Sequence, residues 1–379
     1  MTRHAADAEA ILIGGGVAGA AAAIALARAG RRRVILIERE AGPREKVCGE
    51  FLGADATACL ARLGLDLSSL GAVPVHRARL AWGRRVAGIP LPFAAWGLPR
   101  RVLDEALLAA ASEAGAMLLR GRAALGAARD PATDGLWTVR LSDGATLRAP
   151  HLVLATGKHE FRGMARAAAC DGGALGLKLH LRPSAPPEGV TLLAFPGGYA
   201  GLQPTADGLA NLCVALRNGD AAHGEVARDA AALIAHVAAG SDLAAALLAG
   251  AEPVQARPLA VARIPYGFLH RDAAGGAPDR LWRVGDQFAV IPSFSGDGVA
   301  MALAGGIGAA RAIAAGLSAP EFHAAWRRRL VRPMRLAGLT ASLLDQAPAA
   351  LVALAAGLPA AARLVARHTR VPLPDPDGA

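Results

Sequence analysis

Residues 10–38, AILIGGGVAGAAAAIALARAGRRRVILIE, decide the fold. Ala10–Ile13 is a short apolar run that reads as a buried strand. Gly14, Gly16 and Gly19 then satisfy G-x-G-x-x-G, an Ala-rich helix runs on to about Ala29, and Gly30 is its C-cap. Val34–Ile37 is a second buried strand. Neither strand alternates polar with apolar, as expected of a parallel sheet covered on both faces. Each glycine has its own task. Gly14 permits the tight turn, Gly16 lets the backbone approach a pyrophosphate, and Gly19 lets the helix pack against the strand. The phosphates then lie at the positive end of the helix. Glu38 closes the second strand, where a carboxylate meets ribose hydroxyls. A free 2′-hydroxyl there means FAD or NAD rather than NADP. Arg39 is a further candidate for this end of the site, against the alternative of a solvated surface arginine.

Working outward, the chain of 379 residues has room for about two domains of ~100–200 residues. The net charge is +10, but aromatics are only 4% of residues. No basic cluster with interleaved aromatics appears, so a nucleic-acid partner is not expected. Cys48, Cys59, Cys170 and Cys213 lack metal or disulfide spacing, which fits a reducing cytoplasm and predicts no metal centre. The longest charge-free runs, 10–27 and 347–362, are interrupted by glycines and by Pro359 and make no convincing span.

Residues 43–53 read as a charged, Gly-containing loop, 54–63 and 102–114 as helices, and 75–92 as strand pieces broken by prolines. Residues 136–149 form a hairpin turning at Asp143-Gly144. Residues 151–155 and 281–284 return to the buried-strand pattern. Between them, 174–182, 189–195, 199–204 and 209–216 read as an antiparallel sheet. Gly305, Gly306 and Gly308 lie in a helical stretch with no preceding strand, so they read as helix packing. Residues 319–368 read as Ala/Leu/Arg helices.

Four separated motifs together resemble the FAD-dependent oxidoreductases of the p-hydroxybenzoate hydroxylase fold. They are the βαβ unit, Arg100-x-x-Leu103-Asp104, the Leu152-Val-Leu-Ala-Thr156-Gly157 strand, and Gly285-Asp286 followed by Pro292-x-x-x-Gly296-x-Gly298. The resemblance implies a Rossmann-like α/β FAD-binding domain (1–73, 100–165 and 278–316) with an inserted antiparallel substrate domain (74–99 and 166–277) and a helical C-terminal segment (317–379). It implies FAD contacts from Arg100, Thr156, Gly157, Gly285, Asp286, Gly296 and Gly298. It speaks for the fold and not for one reaction. No second dinucleotide motif appears, so the electron donor is expected to be transient NAD(P)H or a partner reductase.

Arg44-x-Lys46-x-Cys48-Gly49-Glu50 resembles the corresponding segment of geranylgeranyl reductase-like flavoproteins, where the cysteine lies near flavin and substrate. Cys48 is thus either an active-site residue or a small packing residue. Tyr199, Gly201 and Gln203 share one strand face and align with that family's Y-x-W-x-F-P. Gly201 and Gln203 replace the aromatics, which opens the face and adds an amide. The halogenase W-x-W-x-I-P motif is absent. Thr156-Gly157-Lys158-His159-Glu160 stands where aromatic hydroxylases carry Asp-Gly; Lys158 and His159 read as loop caps, and Asp171-Gly172 lies in a different setting. Lys178 and His180 point the same way from one strand, toward a substrate or toward solvent. These features lead to a flavin monooxygenase or related oxidation catalyst for a small aromatic or polyketide-like metabolite. Cys48, Tyr199, Gln203 and His180 are its candidate catalytic residues. An alkene reductase and a non-catalytic flavoprotein resting on a membrane surface are the alternatives.

Overall fold

The computed structural model describes residues 7–31, 33–130, 135–166, 173–217, 223–273, 278–358, 360, 367, 368 and 370. A five-stranded parallel sheet is built from β1 (Ala10–Ile13), β2 (Val34–Glu38), β6 (Met117–Arg120), β10 (His151–Leu154) and β17 (Leu281–Arg283), in the order β17-β10-β1-β2-β6. Alternate side chains go to opposite faces. Leu12 and Leu36 join the core under the helices α1 (Val17–Arg28), α3 (Arg100–Glu113) and α7 (Gly298–Ala314). Ile11, Ile13, Ile35 and Ile37 pack instead on Trp137, Val139 and Leu141 of a small antiparallel sheet, β7 (Ala124–Asp130), β8 (Leu136–Leu141) and β9 (Thr146–Ala149). β1 has β2 on one side and β10 on the other. The crevice outside the carboxyl ends of these strands is therefore at the topological switch point.

The second sheet comprises β3 (Phe51–Leu52), β4 (Val73–Trp82), β5 (Arg85–Gly97), β11 (Ala174–Arg182), β12 (Val190–Phe195), β13 (Gly198–Pro204), β14 (Ala210–Leu216), β15 (Glu252–Pro253) and β16 (Leu259–Ile264). β11, β14, β13 and β12 are antiparallel neighbours, as expected, but β12 pairs with β4 in parallel, so the sheet is mixed. The prolines of 75–92 do not break the strand either. β5 has β4 along one edge, and β3 pairs only with residues 96 and 97 on the other. An unpaired edge tolerates residues without an N–H donor.

One face of this sheet packs under α4 (His223–Val226), α5 (Ala230–Ala238) and α6 (Asp242–Leu248), with Leu177, Leu179, Leu202 and Leu212 meeting Leu233 and Val237. The opposite face is turned toward the crevice. α2 (Ala54–Arg62) packs beneath α7, while α8 (Ala319–Gln346) and α9 (Pro348–Gly357) close the open side. A capping box, Ser318 with Glu321, starts α8. Gly305, Gly306 and Gly308 do serve helix packing. A Cβ at Gly306 would run into the Ala18 carbonyl of α1, and the other two lie against Trp326 and Phe322.

Candidate functional site

One cavity of about 960 Å³ occupies the crevice between the sheets. Every residue expected at the cofactor lines it except Gly19: Gly14, Gly16, Glu38, Arg39, Arg100, Thr156, Gly157, Gly285, Asp286, Gly296 and Gly298. Gly19 acts from behind, because a side chain there would collide with the Gly14 carbonyl. Gly14 itself has φ +107, the left-handed side that glycine adopts without strain.

The residues present fit a dinucleotide. No side chain caps α1 at Gly16, so its N-terminal amides are left to a ligand. A Cβ built at Gly16 would meet only Lys46 Nζ at 3.6 Å and Arg100 Nη2 at 3.8 Å. Open space bounded by two cations and a helix start suits a pyrophosphate. Asp104 fixes both cations: it accepts from Lys46 Nζ at 2.7 Å, Arg100 Nε at 2.9 Å and Arg100 Nη2 at 3.0 Å. Burial opposes the charge of Arg100, and Asp104 outweighs it and raises its pKa. Glu38 accepts from the amides of Gly15 and Glu40, each at 2.9 Å, and so pins the glycine turn while its carboxylate faces the cavity. Arg39 Nη2 lies 3.2 Å from His159 Nε2 beside it.

Lys158 is more than a loop cap. Its Nζ donates to Asp286 Oδ2 at 2.8 Å, and both line the cavity. Burial works to lower its pKa, but Asp286 holds it above the usual lysine value. α7 also begins at the cavity without a side-chain cap. The site therefore brings an ammonium and a second helix N-terminus together at Gly285–Gly298, where the resemblance implies FAD contacts. Lys46, Lys158, Gly15 and Asp104 were missed as functional residues. Lys46 and Asp104 stood within quoted motifs, yet their pairing joins residues 58 apart. The proximity of Lys158 to Asp286 spans 128 residues.

The substrate-side candidates divide. Cys48 lines the cavity, and its Sγ accepts from Glu50 N at 3.4 Å. Asn211 Nδ2 donates to the Cys48 and Gly49 carbonyls at 3.1 and 2.9 Å and holds the turn against β14. Gly201 and Gln203 face the cavity as expected; Tyr199 does not line it. Tyr199 Oη instead meets Ser293 Oγ at 2.8 Å and, with Tyr266, fixes the Ser293–Phe294 wall. Burial raises the Tyr199 pKa well above its ordinary value, so the phenol stays protonated.

His180 is also absent from the lining. It is 4% exposed and Lys178 is 1% exposed, so this pair faces neither substrate nor solvent. Both point at Glu50. His180 Nε2 lies 2.9 Å from Glu50 Oε2, Lys178 Nζ donates to Glu50 Oε1 and to Glu45 Oε2, and Thr205 Oγ1 donates at 3.3 Å. Burial works to raise the fully buried Glu50 carboxyl, yet the bonds from His180 and Lys178 keep its pKa lowered. Glu50 Oε1 also accepts from the Arg100 amide at 3.1 Å, which ties the Cys48 turn to the start of α3.

Gln203 has a different environment. It is 1% exposed, lines the cavity, and neither its Nε2 nor its Oε1 has a partner among the described residues. Leu80, Leu192, Gly201 and Cys213 form the adjacent row across β4, β12, β13 and β14. Burial pushes the Cys213 thiol up to about 12, leaving it a small protonated wall residue. Cys170 and Asp171-Gly172 lie outside the described residues.

An FAD binding domain family matches residues 9–45. The menaquinone reductase of Mycolicibacterium smegmatis is 31% identical over 155 residues, 40% of this chain and 37% of that protein, so only about a third of this curated relative's length is matched. Among solved structures, the flavin-dependent brominase Bmp2 aligns at a TM-score of 0.78 and 20% identity, covering 96% of this chain and 93% of that one. A geranylgeranyl bacteriochlorophyll reductase-like protein from Thermoplasma acidophilum aligns at 0.74 and 18% identity, covering 93% and 91%. Residues 9–45 thus match an FAD binding domain family, and the chain as a whole has the fold shared by that brominase and that geranylgeranyl reductase-like flavoprotein.

Proposed function

We propose that the protein is an FAD-dependent oxidoreductase for a mostly apolar small molecule, aromatic or polyketide-like, carrying a carbonyl or phenolic oxygen, which it oxidises or monooxygenates. The observation that carries this reading is the unpartnered buried amide of Gln203 beside the row Leu80, Leu192, Gly201 and Cys213. A buried amide without partners costs about 1–3 kcal/mol, and a substrate oxygen and hydroxyl would recover that cost. When bound, FAD supplies the electron chemistry. The chain supplies the rest. Gln203 orients the substrate oxygen, and Leu80, Leu192 and Val190 exclude water. Lys158 and the α7 N-terminus place positive charge where a reduced ring would be negative. Transient NAD(P)H or a partner reductase completes the electron supply. Photoreducing the purified protein without air and then admitting air tests the reading. Fast reoxidation supports oxygen chemistry, and slow reoxidation overturns it.

A second reading, reduction of a carbon–carbon double bond, is favoured by Cys48 in the cavity wall, where the resemblance to geranylgeranyl reductase-like flavoproteins puts it. Under it, Cys48→Ala loses double-bond reduction while FAD content is unchanged. A fully active variant would remove Cys48 from the reaction.

A further inference from the structure

We infer that α8 and α9 form a docking surface for an anionic lipid bilayer, and that the cavity opens onto it. The positions Arg328, Arg332, Arg335, Leu339 and Leu343 recur at intervals of three and four residues and so share one face of α8. All five are exposed, with Leu339 at 66% and Leu343 at 49%. α9 adds Leu354 at 51%, and Leu358 just beyond it is 54% exposed. These four leucines are four of the nine exposed large apolar side chains among the described residues, and they lie on, or at the end of, two helices that touch; exposed apolar patches mark binding surfaces. The three arginines make no ion pair among the described residues and extend the apolar patch with uncompensated positive charge.

Two further observations select a bilayer surface over a protein groove or a membrane crossing. No single helix among the described residues is long and apolar enough to span, and α8 and α9 meet at 115° around residue 347, so the pair cannot run straight through. A bent, apolar corner flanked by arginines suits the headgroup boundary, with leucines in the acyl layer and guanidiniums at phosphates. The patch is also continuous with the cavity: Leu339, Leu343 and Leu354 line it as well as facing outward. An apolar molecule dissolved in the bilayer would therefore reach Gln203 without crossing water. That last step rests on the function proposed above; the docking itself does not.

Flotation of the FAD-loaded protein with vesicles tests the docking without any turnover. The protein should float with vesicles of phosphatidylcholine mixed with phosphatidylglycerol, stay behind with phosphatidylcholine alone, and be released by salt. Arg328→Gln, Arg332→Gln and Arg335→Gln together should weaken binding on the order of a hundredfold at about one unit of charge attraction per arginine. Leu343→Asp with Leu358→Asp should abolish flotation. Flavin absorbance and thermal unfolding confirm that each variant is folded. Should the aspartate variant not fold, the arginine variant, altered only at exposed unpaired side chains, still decides the matter. Wild-type protein that ignores the anionic vesicles overturns the inference, as does an arginine variant that floats like wild type.

Discussion

Gln203 keeps an amide in a place where an apolar side chain would be easier to bury. Replacing it with a shape-matched apolar residue removes the unmet donor and acceptor together. Gln203→Met is therefore expected to raise the stability of the ligand-free protein by about 1 kcal/mol, read as a higher Tm, while weakening capture of an oxygen-bearing ligand. A drop in Tm would show that the amide has partners in the protein. Glu50 is the opposite case. It has left-handed φ, yet Lys178, His180, Thr205 and the Arg100 amide all converge on it. Glu50→Ala leaves the buried Lys178 ammonium with Glu45 alone and takes the carboxylate from His180, and should cost about 3 kcal/mol in urea unfolding. Because the folded carboxyl has its pKa lowered, the stability it contributes is fully present above its ordinary value and is lost as the pH falls below that value through the lowered one.

α8 is held to the rest of the molecule by a histidine–carboxylate clamp. His323 Nδ1 and His270 Nε2 donate to Asp272, at 3.1 and 3.0 Å, and His323 Nε2 accepts from the Arg283 amide at 3.0 Å. With Nε2 accepting, the proton of neutral His323 must sit on Nδ1, which turns that nitrogen into a donor to Asp272 rather than a metal ligand. Burial lowers the pKa of His270 to about 4, and burial likewise lowers that of His151, which accepts from Trp282, to about 4. Both stay neutral when folded and take up protons more readily when unfolded. Their stabilisation is complete above about 6.5 and is lost as pH falls toward about 4. Each contributes on the order of 2–3 kcal/mol. Tm should fall across that window, and His270→Phe with His151→Phe should flatten the fall. An unchanged slope in the double variant would place the acid sensitivity elsewhere.

At the scale of the whole molecule, the cofactor and the fold are expected to be linked. The proposed FAD site lies where β1, α1, α3, β10 and α7 converge. Gly14→Ala with Gly16→Ala should yield colourless protein with a lower Tm, since a ligand held only by the native state stabilises it. A variant that purifies yellow would contradict the pyrophosphate assignment. How much of this was legible in the sequence depended on distance along the chain. The βαβ unit was legible because its signals, apolar runs and glycine spacing, are local. So were the strands between 174 and 216, and the Tyr199–Gln203 face in part, since strand alternation put Gly201 and Gln203 correctly. It could not reveal that Tyr199 turns to Ser293, which lies 94 residues on. The pair Lys178 and His180 gave no sign of being buried, because the carboxylate that neutralises them comes from residue 50. The prolines of β5 read as breaks because sequence does not say which strand edge is unpaired. The helices α4–α6 cover a face that only the finished sheet defines.

The parallel pairing of β12 with β4 sets Val190 beside Ala78 and Leu193 beside Ala81. Its consequence concerns time. A strand near the beginning of the chain has to wait, with one edge bare, until the ribosome has delivered more than a hundred further residues. The parallel sheet waits longer still, because β17 completes it only at Leu281–Arg283. Such long-range closures slow folding and leave sticky edges open meanwhile. Synthesis of this protein should therefore be more sensitive to crowding by its own nascent copies, and to the supply of chaperones, than the stability of the finished molecule suggests.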